Sequence, residues 1–367
     1  MPIKKKILHL ITGLEIGGAE MMLLKTLPRL QDNFENSVCC IRGHGQIGKR
    51  LEEAGIPVYY LELKNIFDFE VIRRFRRITK DFQPDTLVTY LIHADLFGRV
   101  FGRIFGIKKI ICSVRVKLIQ FKYLPLLFLD ALTSPLVTHY HFNSKTVADM
   151  YQKIFFLPER KITIIPNGLE IEKYQISIDT NKKRQELNLS EDAIIIGCIG
   201  RLEKQKGQRY LIEAFSQIIK QYPSAILLVV GDGFERENLE LLTKKLHLYN
   251  SVKFIGKRND IAEILQIIDV FVLPSLYEGM SNAVMEAMAS GLPIIATDIP
   301  ENRELVKDKI NGLLSEPRDS QALATMVGQL IFDKESAAIL ARNAQKTALQ
   351  EFDITTITSR YNNLFSK

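Results

Sequence analysis

The sequence predicts an α/β protein with two domains, each built on a doubly wound parallel sheet. Three observations support this class. The chain has 367 residues, whereas a single hydrophobic core stops growing at roughly 250–300 residues. Short apolar runs of strand type alternate with segments of helical period. This alternation stops at Pro166-Asn167-Gly168, gives way to a polar stretch over residues 169–190, and then begins again.

Seven strands are expected in the first domain. Each is short and rich in apolar or β-branched residues, and helical segments separate them, which favours parallel strands joined by right-handed crossovers. The predicted strands are Ile7–Thr12, Val38–Ile41, Val58–Leu61, Thr86–Tyr90, Lys109–Val114, His139–Phe142 and Ile162–Ile165. This order is typical of a Rossmann-like domain.

The second domain repeats the pattern with six predicted strands, followed by helices from Ser320 to Ser366. The strands are Ile194–Ile199, Ala225–Val230, Val252–Ile255, Val270–Leu273, Ile294–Thr297 and Gly312–Leu314. We therefore expect a first domain over residues 1–168, a second over 169–350, and a terminal helix over 351–367 that packs back on the first domain. Ligands of such sheets bind at the carboxyl ends of the strands, so we expect the two domains to face each other across a ligand-binding cleft.

The composition excludes several classes of protein. The chain is 46% hydrophobic and 25% charged, with 21 Gly and 13 Pro, which is typical of a globular protein and not of collagen-like or disordered chains. We find no run of 18–20 apolar residues that would span a membrane, and the basic start at Lys4–Lys6 lacks a signal-peptide cleavage site. The cysteines lie in apolar runs without metal-ligand spacing, namely Cys39, Cys40, Cys112 and Cys198. We expect a cytoplasmic protein with reduced thiols.

Positive charge is concentrated in the first half of the chain. Residues 1–170 contain 25 Lys and Arg against 16 Asp and Glu, a net charge of +9, and the remainder contains 24 against 26, a net charge of −2. This asymmetry predicts an anionic partner, which we take to be a membrane surface or a phosphorylated acceptor. Nucleic acid is disfavoured because no recognition motif accompanies the cations.

Two segments carry the basic character of the first domain. Arginines 73, 74, 76 and 77 cluster on a predicted helix, and the segment Lys117–Leu129 combines two lysines with a dense apolar run. Both patterns are compatible with a core helix that has a solvated basic side. They are equally compatible with a membrane-surface patch, in which apolar insertion and attraction to anionic lipid act together.

The segment from Pro274 to Pro293 is the most informative in the chain. It leaves an apolar strand, turns through Glu278-Gly279, and enters a predicted helix over residues 281–290 that contains Glu286. The backbone N–H groups of Met280 and Ser281, at the start of that helix, would seat a phosphate. Glu286 would then hold a ribose diol, and Glu278 would face a sugar beyond the phosphates. An arbitrary pair of glutamates at this spacing is more often solvated on a surface helix.

In context, this segment resembles the signature of glycosyltransferase family 4, also called glycosyltransferase group 1, a group of retaining enzymes with the GT-B fold. Gly200-Arg201 followed by Lys206-Gly207 resembles the family's G-R-x4-K-G element. The resemblance implies that Arg201 and Lys206 bind the donor diphosphate, whose charge grows as the glycosidic bond breaks.

Further motifs match the family in order along the chain. Gly17 and Gly18 lie in a glycine-rich loop after the first strand, and Pro166-Asn167-Gly168 matches the junction between the domains. In the second domain the resemblance implies a donor-binding set that comprises Gly200, Gly231, Gly233, Phe254, Gly256, Gly279, Met280, Ser281, Asn282 and Glu286. Glycines in such loops allow close approach to the backbone.

Two residues of the first domain are candidates for contact with the donor sugar. His93 and Arg115 follow the fourth and fifth predicted strands, and many family members have a donor-contacting histidine after the fifth strand. Arg115 is the aligned residue here, so either His93 or Arg115 would serve the donor sugar.

The resemblance implies a hexosyltransferase-type enzyme with retention of configuration. Its first domain would bind a glycan or lipid-linked acceptor, and its second domain a nucleotide-diphosphate sugar, in the synthesis of capsule, exopolysaccharide or lipopolysaccharide. The chain contains no D-x-D motif and places cations at the expected phosphate site, so we expect no divalent metal and no cofactor. Localisation would be cytoplasmic, including the inner face of the cell membrane. A sugar-nucleotide epimerase of the same fold and a non-catalytic nucleotide-sugar-binding subunit stay open as alternatives.

Overall fold

The computed structural model describes residues 4–65, 68–115 and 124–367. It divides into two compact units: unit 1 comprises Met1–Gly168 with Ile354–Lys367, and unit 2 comprises Leu169–Asp353. The second boundary lies three residues beyond the expected residue 350, because Phe352 is 2% exposed and belongs to the core of unit 2. The segment Lys117–Leu129 lies only partly within the described residues, and both of its lysines fall outside them.

Unit 1 contains a sheet of seven parallel strands in the order β3-β2-β1-β4-β5-β6-β7. The strands are β1 (Lys5–Ile11), β2 (Phe34–Cys40), β3 (Val58–Tyr60), β4 (Thr86–Tyr90), β5 (Lys109–Val114), β6 (His139–Phe142) and β7 (Ile162–Ile164). All seven predicted strands are present, although β2 begins four residues earlier than predicted. Strand order reverses between β1 and β4, as in doubly wound sheets.

Helices cover both faces of this sheet. They are α1 (Gly18–Leu30), α2 (Gln46–Glu53), α3 (Glu70–Phe82), α4 (Ile92–Ile104), α5 (Leu124–Thr133) and α6 (Lys145–Phe155), with the last helix of the chain, α15 (Ile354–Ser366). Residues of α1, α2 and α15 share one core cluster, and residues of α3, α4 and α6 share the other. Helix α15 packs against α1 through Tyr361, Leu364 and Phe365, which are all buried.

Unit 2 contains a sheet of six parallel strands in the order β10-β9-β8-β11-β12-β13. The strands are β8 (Ile194–Ile199), β9 (Ala225–Val230), β10 (Val252–Phe254), β11 (Val270–Leu273), β12 (Ile294–Thr297) and β13 (Leu313–Ser315). The helices are α7 (Thr180–Glu186), α8 (Gln208–Gln221), α9 (Arg236–Lys245), α10 (Ile261–Leu265), α11 (Asn282–Ala289), α12 (Pro300–Leu305), α13 (Ser320–Phe332) and α14 (Lys334–Glu351). Apolar clusters fill both faces, so the predicted α/β class with two Rossmann-like domains is confirmed.

A charged cluster lies inside unit 1 between the sheet and its helices. Arg99 of α4 is fully buried and forms an ion pair with Asp130 of α5, and its Nε donates a hydrogen bond to the Cys112 Sγ at 3.1 Å. Asp95 is also buried and accepts a hydrogen bond from the Thr89 hydroxyl at 2.5 Å. Burial raises the pKa of Asp95 to about 7, although the nearby Arg99 charge opposes the shift.

The Asp95 carboxyl should make unit 1 less stable as the pH rises. Because its pKa is raised in the folded state, the folded protein keeps a proton that the unfolded chain releases above about pH 4. Each pH unit between about 4 and 7 then lowers the free energy of unfolding by up to about 1.4 kcal/mol. We expect Asp95→Asn to flatten this decline, measured by urea unfolding followed by circular dichroism at pH 5 and pH 8. Asp81→Asn, at an exposed position, is the control, and an unchanged pH dependence in Asp95→Asn would contradict the assignment.

Candidate functional site

The loops that follow β8, β9, β10 and β11 meet at one edge of the unit 2 sheet. Parallel strands bring their carboxyl ends together at such an edge, where α/β proteins bind ligands. Main-chain hydrogen bonds join the loops in pairs. The N–H of Leu202, after β8, donates to the Asp232 carbonyl, after β9, at 2.9 Å, and the N–H of Gly231 donates to the Gly256 carbonyl, after β10, at 2.8 Å. The N–H of Leu276, after β11, donates to the Gln205 carbonyl, after β8, at 2.8 Å. Most of the residues singled out in unit 2 therefore lie in one connected group of loops.

Glycines permit these loops to approach one another. Gly231 has a φ of +133°, and a Cβ atom there would lie 2.0 Å from the Gly200 carbonyl oxygen. Gly207 has a φ of +64°, and its Cβ would lie 2.1 Å from the Pro274 carbonyl oxygen. No other residue fits at these positions without moving the backbone. Gly233 approaches Leu202 in the same way, so contact between loops accounts for these glycines before any ligand is considered.

Lys206 and Glu278 form a largely buried ion pair within this group. The Lys206 Nζ donates a hydrogen bond to the Glu278 Oε1 at 2.6 Å, and the Ser275 hydroxyl donates to the same oxygen at 2.6 Å. The side chains are 14% and 5% exposed. Charge-assisted hydrogen bonds of this kind are short and hold their partners in place. The structure thus brings together the two residues assigned to the diphosphate and the sugar, and the ammonium retains donors for a ligand.

Arg201 lies on the outer side of the same loop. Its guanidinium is paired with Glu203 at 2.7 Å, and its side chain is 68% exposed. An exposed pair of this kind contributes little to stability and exchanges easily with another anion. The main chain of Arg201 is held by Gln208, whose Nε2 donates to its carbonyl at 2.9 Å.

Helix α11 begins one residue later than the sequence predicted. Ser281 is its N-cap, and the Ser281 hydroxyl accepts a hydrogen bond from the Val284 N–H at 3.4 Å. The positive end of the helix dipole therefore lies at residues 282–284, with Met280 and Ser281 preceding it. Glu278 and Gly279 lie in the turn before the helix, so of the two glutamates only Glu286 is helical.

Glu286 lies on the second turn of α11 and is partly exposed. The Tyr174 hydroxyl is hydrogen-bonded to its carboxylate, and burial together with this carboxylate raises the pKa of Tyr174. Gln266 anchors the main chain of Tyr174 by donating from Nε2 to its carbonyl at 2.9 Å. Tyr174 is not among the predicted site residues, and its only signal in the sequence is that it is an aromatic residue within the polar stretch after the domain junction.

Of the remaining predicted residues of unit 2, Asn282 is the first residue of α11 and Phe254 is the last residue of β10. Its ring is partly buried and packs against a core cluster of the sheet. Gly256 follows two residues later with a φ of +70°. Phe254 and Gly256 therefore lie at the β10 end of the connected group of loops.

The glycine-rich loop of unit 1 connects β1 to α1. Gly17 is the N-cap of α1, and a Cβ atom at Gly17 would lie 2.3 Å from the Glu20 Oε2. A Cβ at Gly18 would meet nothing within 4 Å. Burial raises the pKa of the Glu20 carboxyl, so the first turn of α1, next to this loop, carries an acidic group with a raised proton affinity.

His93 and Arg115 have different environments. His93 is the second residue of α4, beyond the end of β4, and is exposed. Desolvation of part of its ring and the nearby Arg42 charge lower its pKa. Arg115 is 8% exposed, and its guanidinium donates hydrogen bonds to the Asn167 Oδ1 at 2.8 Å and to the Tyr361 hydroxyl at 2.8 Å.

The contacts of Arg115 are internal to unit 1. Its Nε also lies 3.3 Å from the Ser113 hydroxyl, so the guanidinium joins β5, the Pro-Asn-Gly junction and α15. The same region includes His141, which is hydrogen-bonded to Ser113 at 2.8 Å. Burial and the Arg115 charge lower the pKa of His141 to about 3, so this histidine is neutral.

The described part of the chain contains neither a cluster of metal-ligating side chains nor a helix that could span a membrane. Within residues 4–65, 68–115 and 124–367, we find no group of three or more His, Cys, Asp or Glu side chains arranged to hold a metal ion. Helices in that same part of the chain are too short or too polar to cross a bilayer.

Comparison with known proteins identifies matches to both units. The family model for glycosyl transferases group 1 matches residues 179–347, and the model for glycosyltransferase family 4 matches residues 16–173. Among curated proteins, the UDP-Gal:alpha-D-GlcNAc-diphosphoundecaprenol alpha-1,3-galactosyltransferase of Escherichia coli is 26% identical over 99% of this chain and 97% of its own length.

Solved structures with the same fold include HepE of Anabaena. Its complex with UDP is 25% identical to this chain, with a TM-score of 0.89 over 98% of this chain and 99% of HepE. Its complex with UDP-glucose is 26% identical, with a TM-score of 0.85 over 99% and 100% of the two chains. One family model on each unit and structural similarity over the whole length agree, and the chain therefore belongs to the family 4, group 1 glycosyltransferases with the GT-B fold.

Proposed function

We propose that this glycosyltransferase transfers a sugar, with retention of configuration, from a uridine-diphosphate sugar to a hydroxyl of a lipid-linked glycan in cell-surface polysaccharide synthesis. The observation that carries the proposal is the buried Lys206–Glu278 pair beside the start of α11. The donor class is supported by HepE, which was solved with UDP and with UDP-glucose. The acceptor class is supported by the name of the Escherichia coli relative, which acts on a diphosphoundecaprenol-linked sugar.

The leaving diphosphate would be stabilised by three groups of unit 2. Lys206 supplies a positioned ammonium, Arg201 supplies a guanidinium released from its exposed pair with Glu203, and α11 supplies the positive end of its dipole. Positioned donors of this kind lower the barrier because they need no reorganisation as charge develops. Glu278, held by Lys206 and Ser275, would accept hydrogen bonds from hydroxyls of the donor sugar.

In the reaction, the bond between the anomeric carbon and the diphosphate oxygen breaks, and the electron pair leaves with the diphosphate. The acceptor hydroxyl attacks the anomeric carbon from the same face, and a diphosphate oxygen takes its proton. This course requires no carboxylate base. It also requires no fixed nucleophile, because the cationic sugar is short-lived and paired with the leaving group.

Glu286 would bind the ribose of the nucleotide. A carboxylate accepts hydrogen bonds from both hydroxyls of a ribose diol, and Tyr174 already orients this carboxylate. Tyr174 therefore acts as a positioning residue for Glu286.

Of the two candidates for the donor sugar in unit 1, we favour His93. All three of the Arg115 contacts described above engage its guanidinium within unit 1, whereas His93 is exposed and its lowered pKa favours the neutral imidazole. A neutral imidazole can donate one hydrogen bond and accept another. We therefore propose a structural role for Arg115.

The donor pocket can be tested by titrating the enzyme with a panel of nucleoside-diphosphate sugars, with and without EDTA. We expect selective binding of uridine-diphosphate sugars that EDTA does not change, because Arg201 and Lys206 replace a metal at the phosphates. Glu286→Ala should weaken this binding by about 10- to 100-fold, the effect of losing hydrogen bonds to a charged group. Glu237→Ala, at an exposed position of α9, is the matched control.

Other outcomes would contradict parts of the proposal. Equal binding by Glu286→Ala and wild type would remove the ribose assignment, and loss of binding in EDTA would show that a metal is required. With a lipid-linked acceptor, a product of inverted anomeric configuration by NMR would exclude retention. Release of an altered sugar without acceptor would favour an epimerase.

A further inference from the structure

Helix α5 has its apolar and polar sides reversed. Its only charged residue, Asp130, is 2% exposed, whereas Phe128 is 69%, Leu132 is 66% and Leu129 is 43% exposed. A surface helix in a water-soluble domain normally turns its apolar residues towards the core. Here three apolar residues face outward, and the carboxylate is buried against Arg99 of α4.

Buried contacts fix this reversed orientation. Asp130 forms an ion pair with Arg99, which is fully buried on the adjacent helix α4. Arg103, one turn further along α4, donates to the Leu136 carbonyl just beyond α5 at 2.9 Å and 2.7 Å. Rotating α5 to bury Phe128 would leave the Arg99 charge without its partner, which is strongly unfavourable in a protein interior.

A basic helix lies in the same layer. Rings of α3 and α4 are in contact, since Phe75 lies 5.2 Å from Phe97, and α4 in turn contacts α5. Arg76, Arg77 and Lys80 of α3 are exposed. Within the part of the chain that the structure describes, these three cations form no ion pair. The layer therefore presents uncompensated positive charge on α3 and an apolar face on α5, with α4 between these two helices.

A groove between the carboxyl ends of α3 and α4 combines both properties. It has a volume of about 790 Å³ and is lined by Arg76, Lys80, Pro84, Ile104 and Phe105, among others, with no carboxylate among its lining residues. Cations above an apolar floor complement a phosphate that is attached to hydrocarbon. Ile104, at the end of α4, is 65% exposed and extends the apolar area.

We propose that the outer surface of α3, α4 and α5, which we call the α3–α5 surface, docks the enzyme on an anionic lipid bilayer. Phe128, Leu129 and Leu132 insert below the headgroups, and the α3 cations bind lipid phosphates. This inference rests on the proposed function, because a polyprenol-linked acceptor is held in a bilayer. A second copy of the chain fits less well, since a symmetric contact would bring its α3 cations against the same cations.

The test is co-flotation with vesicles of phosphatidylcholine alone or with about 30% phosphatidylglycerol, whose anionic headgroups attract cationic side chains. Wild type should float with the anionic vesicles and remain behind with the neutral ones. Phe128→Ser with Leu132→Ser should weaken vesicle binding about tenfold or more. The matched control is Phe332→Ser with Leu241→Ser, which removes similarly exposed apolar residues from unit 2.

A separate variant tests the contribution of the α3 cations to vesicle binding. Changing Arg76, Arg77 and Lys80 to Gln should abolish the preference for anionic vesicles, with a loss of about 10- to 100-fold. Changing exposed Lys220, Lys245 and Lys346 to Gln removes the same charge from unit 2 and should have little effect. Equal losses of vesicle binding in both triple variants would show that only the net charge of the protein matters. That result would overturn the assigned surface.

Two further results would overturn the proposal. Vesicle binding by the Phe128→Ser, Leu132→Ser variant at the wild-type level would exclude the apolar face. A wild-type dimer in sedimentation that this variant converts to monomer, with vesicle binding unchanged, would assign the surface to a second copy. Binding of UDP-glucose is measured in the same samples without vesicles. Donor binding without vesicle binding would refute only this inference, and vesicle binding without donor binding would refute only the proposed function.

Discussion

Lys206→Ala is expected to lower kcat by about 10²- to 10³-fold, which is the loss that follows removal of one positioned donor from developing negative charge. The Lys206 ammonium lies 2.6 Å from the Glu278 carboxylate in a region that is nearly closed to solvent. Its removal withdraws a cation from the leaving diphosphate and leaves Glu278 with the Ser275 hydroxyl and no countercharge. We also expect the free energy of unfolding of unit 2 to fall by about 3 kcal/mol, as for other broken buried pairs.

The two effects of Lys206→Ala can be separated. Combining Lys206→Met with Glu278→Gln removes both charges, so it should recover stability while activity remains lost. Lys204→Ala, at an exposed position two residues earlier, is the matched control for kinetics and for urea unfolding. If Lys206→Ala keeps wild-type kcat, the assignment of Lys206 to the diphosphate is wrong.

Arg99→Met should destabilise unit 1 by about 3–5 kcal/mol, because it leaves a buried carboxylate without its partner. Arg99 is fully buried, and the Asp130 with which it pairs is 2% exposed. The pair also holds α5 in its reversed orientation, so the variant should expose amides of α5 to hydrogen exchange before those of α1. Restoring neutrality with Asp130→Asn in the same protein should recover part of the lost stability.

Arg160→Met is the control for this experiment, because Arg160 is exposed and outside the cluster. Unfolding by urea and hydrogen exchange are measured on the full chain. A loss below about 0.5 kcal/mol, the usual range for surface substitutions, would show that the pair does not anchor α5.

The strands were predictable because a parallel sheet that is covered on both faces requires continuous apolar runs. Ala225–Val230 and Val270–Leu273 have the predicted bounds in the structure. The start of β2 was missed because Glu35, Asn36 and Ser37 are polar. Asn36 is buried there because its Oδ1 is hydrogen-bonded to the His9 ring at 3.1 Å, a partner 27 residues away that no local pattern reveals.

The members of the candidate site could be proposed from the sequence, whereas their arrangement could not. Short motifs identify Gly200, Lys206, Glu278 and Glu286 because each depends on a few adjacent residues. The pairing of Lys206 with Glu278 depends instead on β8 and β11 being neighbours in the sheet, and these residues are 72 positions apart. The hydrogen bond from Tyr174 to Glu286 also joins residues far apart in the chain, so the proposed positioning role of Tyr174 could be inferred only from the folded chain.

The sequence by itself determined the two-domain α/β class, most strand positions and the family resemblance, because burial periodicity and loop motifs are local properties. Only the tertiary structure decided that Arg115 is engaged by Asn167 and Tyr361 and that α5 turns its apolar side outward. Both outcomes follow because a buried charge is stable only when it is paired, and the fold determines which partners lie near it. Arg115 finds them in the domain junction and the last helix, and Asp130 finds Arg99 on the adjacent helix α4.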